Sequence, residues 1–176
     1  MKGRHFARVM VTGHRPQGIP AESHQWVEQE LERLAIKLRD EHGTQIGISG
    51  MALGSDIWWA KAVKFAWLDL WAFIPFPQQA DRWQPADVAL WNEMRSRAAH
   101  EIVIAPEYSV QALFQRNEVM LENSDLVIAV WDPTTTSGGT YATVQSAVRR
   151  GLPIIHLHPY PLAQRTTMVA PGKMPS

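Results

Sequence analysis

The residues with the most chemistry in this chain lie in three short loops, each of which follows an apolar run. The plainest is Ser124-Asp-Leu-Val-Ile-Ala-Val-Trp-Asp132, which empties into Pro133-Thr-Thr-Thr-Ser-Gly-Gly-Thr140 and then into a helical pattern. An apolar strand, a Gly/Ser/Thr loop and a helix start gather backbone N–H groups, hydroxyls and the positive end of a helix dipole at one point, which suits an anionic ligand. The layout recurs at Val9-Met-Val-Thr-Gly-His-Arg-Pro16 and at Ile46-Gly-Ile-Ser-Gly-Met-Ala-Leu-Gly-Ser-Asp56. Three such loops on one sheet edge would make a pocket.

Each loop offers particular groups. In the first, Gly13 lets the backbone approach a ligand, Arg15 presents a planar guanidinium to phosphate or carboxylate, and His14 is a candidate base or hydrogen-bond donor. In the second, Gly50 and Gly54 permit close approach, while Ser55 and Asp56 either contact ligand hydroxyls or cap the next helix. This string is neither the dinucleotide fingerprint nor the phosphate loop ending in Gly-Lys-Ser/Thr, which argues against ATP hydrolysis. In the third, Gly138 and Gly139 leave amides open, Thr140 adds a hydroxyl, and Asp132 ends its strand where sheet enzymes place carboxylates; a plain Asp-Pro turn is the alternative. Arg116-Asn117-Glu118 lies in a helical run and reads as its wet side unless the turn carrying Asn117 faces the pocket. His156 and His158 alternate near a strand end, but without cysteine or a ligand triplet they make a poor metal site, and none is expected. No serine-hydrolase elbow is present.

The elements that must position these loops are legible from apolar runs separated by helix-length segments, the pattern of a parallel sheet covered on both faces. Strands are predicted at 8–12, 45–49, 70–75, 101–105, 125–131 and 153–158, and helices at 22–42, 55–66, 80–99, 110–123 and 139–150. The fold class expected is α/β, a Rossmann-like three-layer α/β/α sandwich with a mostly parallel central sheet. Residues 1–159 read as one domain, and 160–176, rich in Pro, Thr and Gln, as a loosely held tail. At 176 residues such a domain buries roughly 70% of its unfolded surface.

Composition bounds the partners. The 17 basic and 17 acidic residues cancel, so no global field draws the protein to nucleic acid, which is not an expected partner. The basic run Lys2, Arg4, His5 and Arg8 reads as a solvated terminus. No apolar stretch approaches the roughly 20 residues of a membrane span, and the absence of cysteine fits a reducing compartment; a cytoplasmic protein is expected. Eight tryptophans suggest core and subunit-interface anchors, and hence a homo-oligomer, a dimer or larger.

Taken in order, Val11-Thr-Gly-His-Arg-Pro16, Ile48-Ser-Gly-Met-Ala-Leu-Gly-Ser-Asp56, Ile74-Pro-Phe-Pro-Gln-Gln-Ala-Asp-Arg-Trp83, Arg116-Asn117, the run 124–132 and Gly138-Gly-Thr140 resemble YpsA-like proteins of the SLOG superfamily, which also holds the DprA core and the LOG nucleotide hydrolases. The resemblance covers about residues 8–158. It implies a sheet whose strand ends bind a nucleotide or nucleotide-derived ligand, with Gly13, His14, Arg15, Gly50, Gly54, Asp56, Asn117, Asp132, Gly138, Gly139 and Thr140 as pocket positions. LOG-type enzymes cleave an N-glycosidic bond with the Glu of Pro-Gly-Gly-x-Gly-Thr-x-x-Glu. This chain has Ser137-Gly-Gly-Thr-Tyr-Ala-Thr-Val-Gln145, and glutamine is neither a general acid nor a base. Binding is therefore the expected function, in the role of a sensor or processing factor. The alternatives are glycosidase chemistry on a nucleoside phosphate or ADP-ribose derivative, with Asp132, Glu118 or Asp56 as the carboxylate, and a DprA-like single-strand DNA binder.

Overall fold

A computed structural model describes residues 3–176, so Lys2 of the basic run lies outside the described residues. Among the described residues, five α-helices and seven strands follow in the order β1 Arg8–Gly13, α1 His24–His42, β2 Ile46–Ser49, α2 Ser55–Phe65, β3 Asp69–Ile74, α3 Pro85–Ser96, β4 His100–Val103, α4 Val110–Glu122, β5 Leu126–Val130, α5 Gly138–Arg149, β6 Ile154–His158 and β7 Arg165–Val169. The sheet order is β4-β3-β2-β1-β5-β6-β7, with every pair parallel except β6–β7. The fold is the expected Rossmann-like α/β/α sandwich.

Period-two alternation sorts the strand side chains into two cores. Val9, Val11, Leu126, Ile128 and Val130 pack with Leu31, Leu34, Trp59 and Trp91 from α1, α2 and α3. Met10, Val127 and Ala129 face the opposite layer, where Met120 and Leu121 of α4 and Val144 and Ala147 of α5 cover them. α1 forms because Val27, Leu31, Leu34, Ala35 and Leu38 recur at helical spacing on one buried stripe. It stops at Gly43, whose φ of 65° places it in the left-handed region while its N–H bonds to the Leu38 carbonyl.

The chain winds from β1 outward through β2 and β3 to β4, then crosses by α4 to β5 on the other side of β1. β1 and β5 therefore flank the point where the winding reverses, and the loops leaving their carboxyl ends diverge around a crevice.

The expectation of a loose tail at 160–176 is corrected. Arg165–Val169 pairs antiparallel with β6, from Ile154 opposite Val169 to His158 opposite Arg165. Gln164 Nε2 donates to Ser23 Oγ at 3.1 Å, and Arg165 Nη2 to the Ser176 carbonyl at 2.6 Å. Edge strands need only one apolar face, so a five-residue Arg-Thr-Thr-Met-Val run carries too little alternation to be read as a strand. α3 starts at Pro85 instead of residue 80, since residues 80–84 form turns and Pro is favoured in a helix's first turn.

The tryptophans divide. Trp59, Trp91 and Trp131 are buried, whereas Trp67 is 90% exposed. No helix among the described residues is long and apolar enough to cross a membrane.

Candidate functional site

The β1 loop is fixed by its neighbours. His14 N–H donates to the Val130 carbonyl at 3.2 Å, and the His14 carbonyl accepts from Ser55 Oγ at 2.9 Å and, more weakly, Ser55 N at 3.4 Å. These bonds draw β1, the start of α2 and the end of β5 together. Gly13 is needed for that closeness: a Cβ there would lie 2.4 Å from Ser55 Oγ and 2.8 Å from Val130 Cβ. Gly54 has φ of 83°, and a Cβ on it would lie 2.9 Å from the His14 carbonyl oxygen. Ser55 and Gly54 therefore hold the loop from beneath, and neither lines the cleft.

The cleft itself, about 410 Å³, lies between the end of β1 and its loop, the first turns of α4 and the start of α5. Of the residues expected there, Gly13, His14, Arg15, Asp56, Asn117, Gly139 and Thr140 line it. Gly139 and Thr140 belong to the first turn of α5, where backbone N–H groups lack helical acceptors. Gly138 starts that turn with φ of 87°, a conformation that L side chains rarely adopt, and stands just outside the lining. Gly50 also stays outside, because its space is taken.

Arg116 takes that space. It is 6% exposed, and its Nη1 donates to the Gly50 carbonyl while Nε donates to Asn117 Oδ1 at 2.8 Å. Its Nη1 stands 4.0 Å from Asp56 Oδ2, a charge contact longer than a hydrogen bond. Gln79 also donates through Nε2 to the Gly50 carbonyl, at 3.0 Å, and its Oε1 accepts from Trp91 Nε1 at 3.0 Å. Burial pushes the Asp56 carboxyl above its ordinary value, opposed by the Arg116 charge, the Ala52 N–H and the Arg15 charge. Burial likewise pulls Arg116 down, although a guanidinium keeps its proton.

Arg116 is a cleft-lining residue that the sequence reading missed, having been assigned to the wet side of its helix. The signal was its position: it sits four residues after Ala112 and four before Met120, both buried, and so on the inward stripe of α4. The walls made by Val110, Leu113 and Phe114 were missed as well.

Two proposed catalytic carboxylates are not brought to the cleft. Asp132 folds back on its own loop, accepting from Thr134 N at 2.9 Å and Thr134 Oγ1 at 2.8 Å, so the turn reading describes its geometry. Burial would raise its pKa, but the Thr134 bonds and the His158 and His14 rings outweigh that and lower it. Its backbone N–H donates to His14 Nε2 at 3.2 Å, so the neutral His14 ring carries its proton on Nδ1. Burial lowers the His14 pKa against the pull of Asp132. Glu118 points to α5 and accepts from Arg150 Nη2 at 2.6 Å. Gln145, near the glycosidase acid position, donates to Tyr141 Oη at 2.9 Å. His156 is buried with Nε2 2.8 Å from the Trp131 carbonyl, and among the described residues no group of three His, Asp or Glu is placed to hold a metal.

With this geometry in view, comparison with known proteins places the chain. The family model described as the YspA SLOG family matches residues 9–160. The chain belongs to the YspA SLOG family. A UPF0398 protein of Bacillus pumilus is 27% identical over 163 residues, covering 85% of this chain and 86% of the relative. DNA processing protein A from Streptococcus pneumoniae superposes with a TM-score of 0.65 at 18% identity, covering 90% of this chain but 52% of that one, so this YspA SLOG chain spans about half its length. The same protein from Helicobacter pylori, in a structure described as showing its single-stranded DNA binding mode, gives 0.59 at 21% identity over 89% of this chain and 67% of that one. The molybdenum cofactor carrier protein of Chlamydomonas reinhardtii gives 0.56 at 18% identity, over 89% and 78% respectively. At these identities the solved structures share the fold, and the expectation that nucleic acid is no partner finds no support among them.

Proposed function

We propose that the cleft between β1, α4 and the start of α5 binds a nucleotide or nucleotide-derived small molecule and does not cleave it. The observation that carries this reading is that Gly139 and Thr140 of the α5 N-terminus line the same cleft as Arg15 and the buried Arg116. Helix-start amides with two guanidiniums favour a phosphoryl group. Asn117, half-buried beside them, adds an amide for a sugar or base edge. The cleft volume is within the range of small-molecule sites.

Binding is favoured over N-glycosidase chemistry by the state of the carboxylates. Among the described residues, Asp56 is the cleft's lining carboxylate, and it is committed to Arg116 and to the Ala52 N–H at 3.3 Å. The position near the glycosidase acid is Gln145, which is neither a general acid nor a base and donates to Tyr141 Oη. The test is incubation with AMP, ADP-ribose and a single-stranded oligonucleotide, followed by thermal shift and chromatography. A raised melting temperature with AMP or ADP-ribose and no released base supports the reading. Free adenine in the chromatogram supports the glycosidase instead, and stabilisation by the oligonucleotide alone supports the DNA binder.

A further inference from the structure

Beside the cleft lies a second compartment of about 640 Å³, walled by Phe76, Arg82, Trp83 and Tyr108 and sharing Arg15, Ala52, Leu113 and Arg116 with the first. The two spaces thus meet across a pair of guanidiniums. Tyr108 is 63% exposed, and its ring stands edge-on to the buried Phe76 at 5.3 Å and 83°. Trp83 is held against Trp91 at 6.3 Å and 76°. Trp91 in turn bonds Gln79, and Gln79 bonds the Gly50 carbonyl under Arg116, so the aromatic wall is tied to the floor of the cleft. Arg116 uses Nε and Nη1 on Asn117 and Gly50, and its Nη2 makes no hydrogen bond among the described residues. A buried cation with unused donors stands where the compartments join.

The faces of Trp83 and Tyr108 suit a planar group by stacking, with Arg82 in the same wall for cation–π contact. We propose that the second compartment receives the planar ring of a two-part ligand whose phosphate bridge lies on Arg15 and Arg116: a pyrophosphate-linked dinucleotide. This rests on the reading that the first cleft takes a nucleotide phosphate. The first cleft holds one nucleoside half, and the aromatic wall holds the other.

Titration calorimetry on the full chain with AMP and with diadenosine diphosphate, which is two AMP halves sharing one bridge, separates the two claims. The dinucleotide binds at least tenfold more tightly than AMP. Tyr108→Ala, at a largely exposed position, removes that advantage to within threefold and changes AMP affinity by less than twofold, whereas Tyr108→Phe keeps it. Circular dichroism confirms that both variants fold. Equal affinities of AMP and dinucleotide, or a dinucleotide advantage untouched by Tyr108→Ala, overturn this inference and leave the first cleft's reading standing. No binding of either compound overturns both.

Discussion

Replacing Arg116 with methionine removes the charge at the junction while keeping much of the side chain's volume. Breaking a buried ion pair by deleting one partner costs about 3–5 kcal/mol, because the remaining charge stays buried. The low end, about 3 kcal/mol, applies here: the Arg116–Asp56 contact is 4.0 Å, the Gly50 carbonyl keeps its bond from Gln79 Nε2 at 3.0 Å, and the half-buried Asn117 can turn to water. The loss must depend on pH with a definite sign. Burial already raises the Asp56 pKa in the folded chain above 3.8 while Arg116 opposes the rise, so removing Arg116 raises it further. The destabilisation is therefore full above that further-raised pKa, shrinks as pH falls through it, and is gone below the parent's own folded pKa, where Asp56 is neutral in both folded proteins. Urea unfolding of Arg116→Met at pH 7.5 and pH 5 should show about 3 kcal/mol lost at the higher pH and a smaller loss at the lower. The double variant Arg116→Met/Asp56→Asn should recover to within about 1 kcal/mol of the parent, as expected for partners in one interaction. A loss below about 1 kcal/mol at pH 7.5, or one that does not change with pH, would refute the buried pair as the organiser of this site.

Other outcomes follow from the same geometry. Gly50→Ala would set a Cβ 2.4 Å from Arg116 Nη1 and 2.9 Å from Asp56 Oδ2, and should cost about 3 kcal/mol in urea unfolding through overpacking and the strained guanidinium bond. Gly139→Ala meets nothing within 4 Å and should fall within about 1 kcal/mol of the parent, while Gly138→Ala, at φ of 87°, should lose about 1–2 kcal/mol. His14, His156 and His158 all sit below their ordinary 6.5 in the folded chain, burial being the largest cause for each. The unfolded chain then takes up protons first, so stability measured by thermal melting should fall as pH drops below about 6.5, by up to about 1.4 kcal/mol per pH unit for each ring. A flat melting profile between pH 7 and 5.5 would contradict the lowered pKa values of these three histidines.

How much of this could be read from the residues divides along physical lines. The parallel sheet and its layers were legible because strands buried on both faces read as apolar runs, as in Val9–Val11 and Leu126–Val130, and because α1 repeats apolar residues at helical spacing. β7 was not, since one exposed face and five residues leave little pattern. Within the site, Gly13 and Thr140 announced themselves by type and by their place after a strand or at a helix start. Asp132 misled because a carboxylate at a strand end has two uses, and only the three-dimensional position of Thr134 shows that its oxygens are spent locally. Arg116 was hidden because a charged residue in a helix is ordinarily solvated; its i±4 relation to Ala112 and Met120 outweighed its charge.

The central claim is that the turn at Gly13 and the first turn of α5 converge on one ligand in one cleft. Titrating ¹⁵N-labelled protein with AMP and following the backbone amide resonances tests it directly. The amides of Gly13, Arg15, Asn117, Gly139 and Thr140 should shift together with one dissociation constant, while those of β4 and β7 stay still. Absent shifts at Gly139 and Thr140, or shifts clustered at the far end of the sheet, would contradict it.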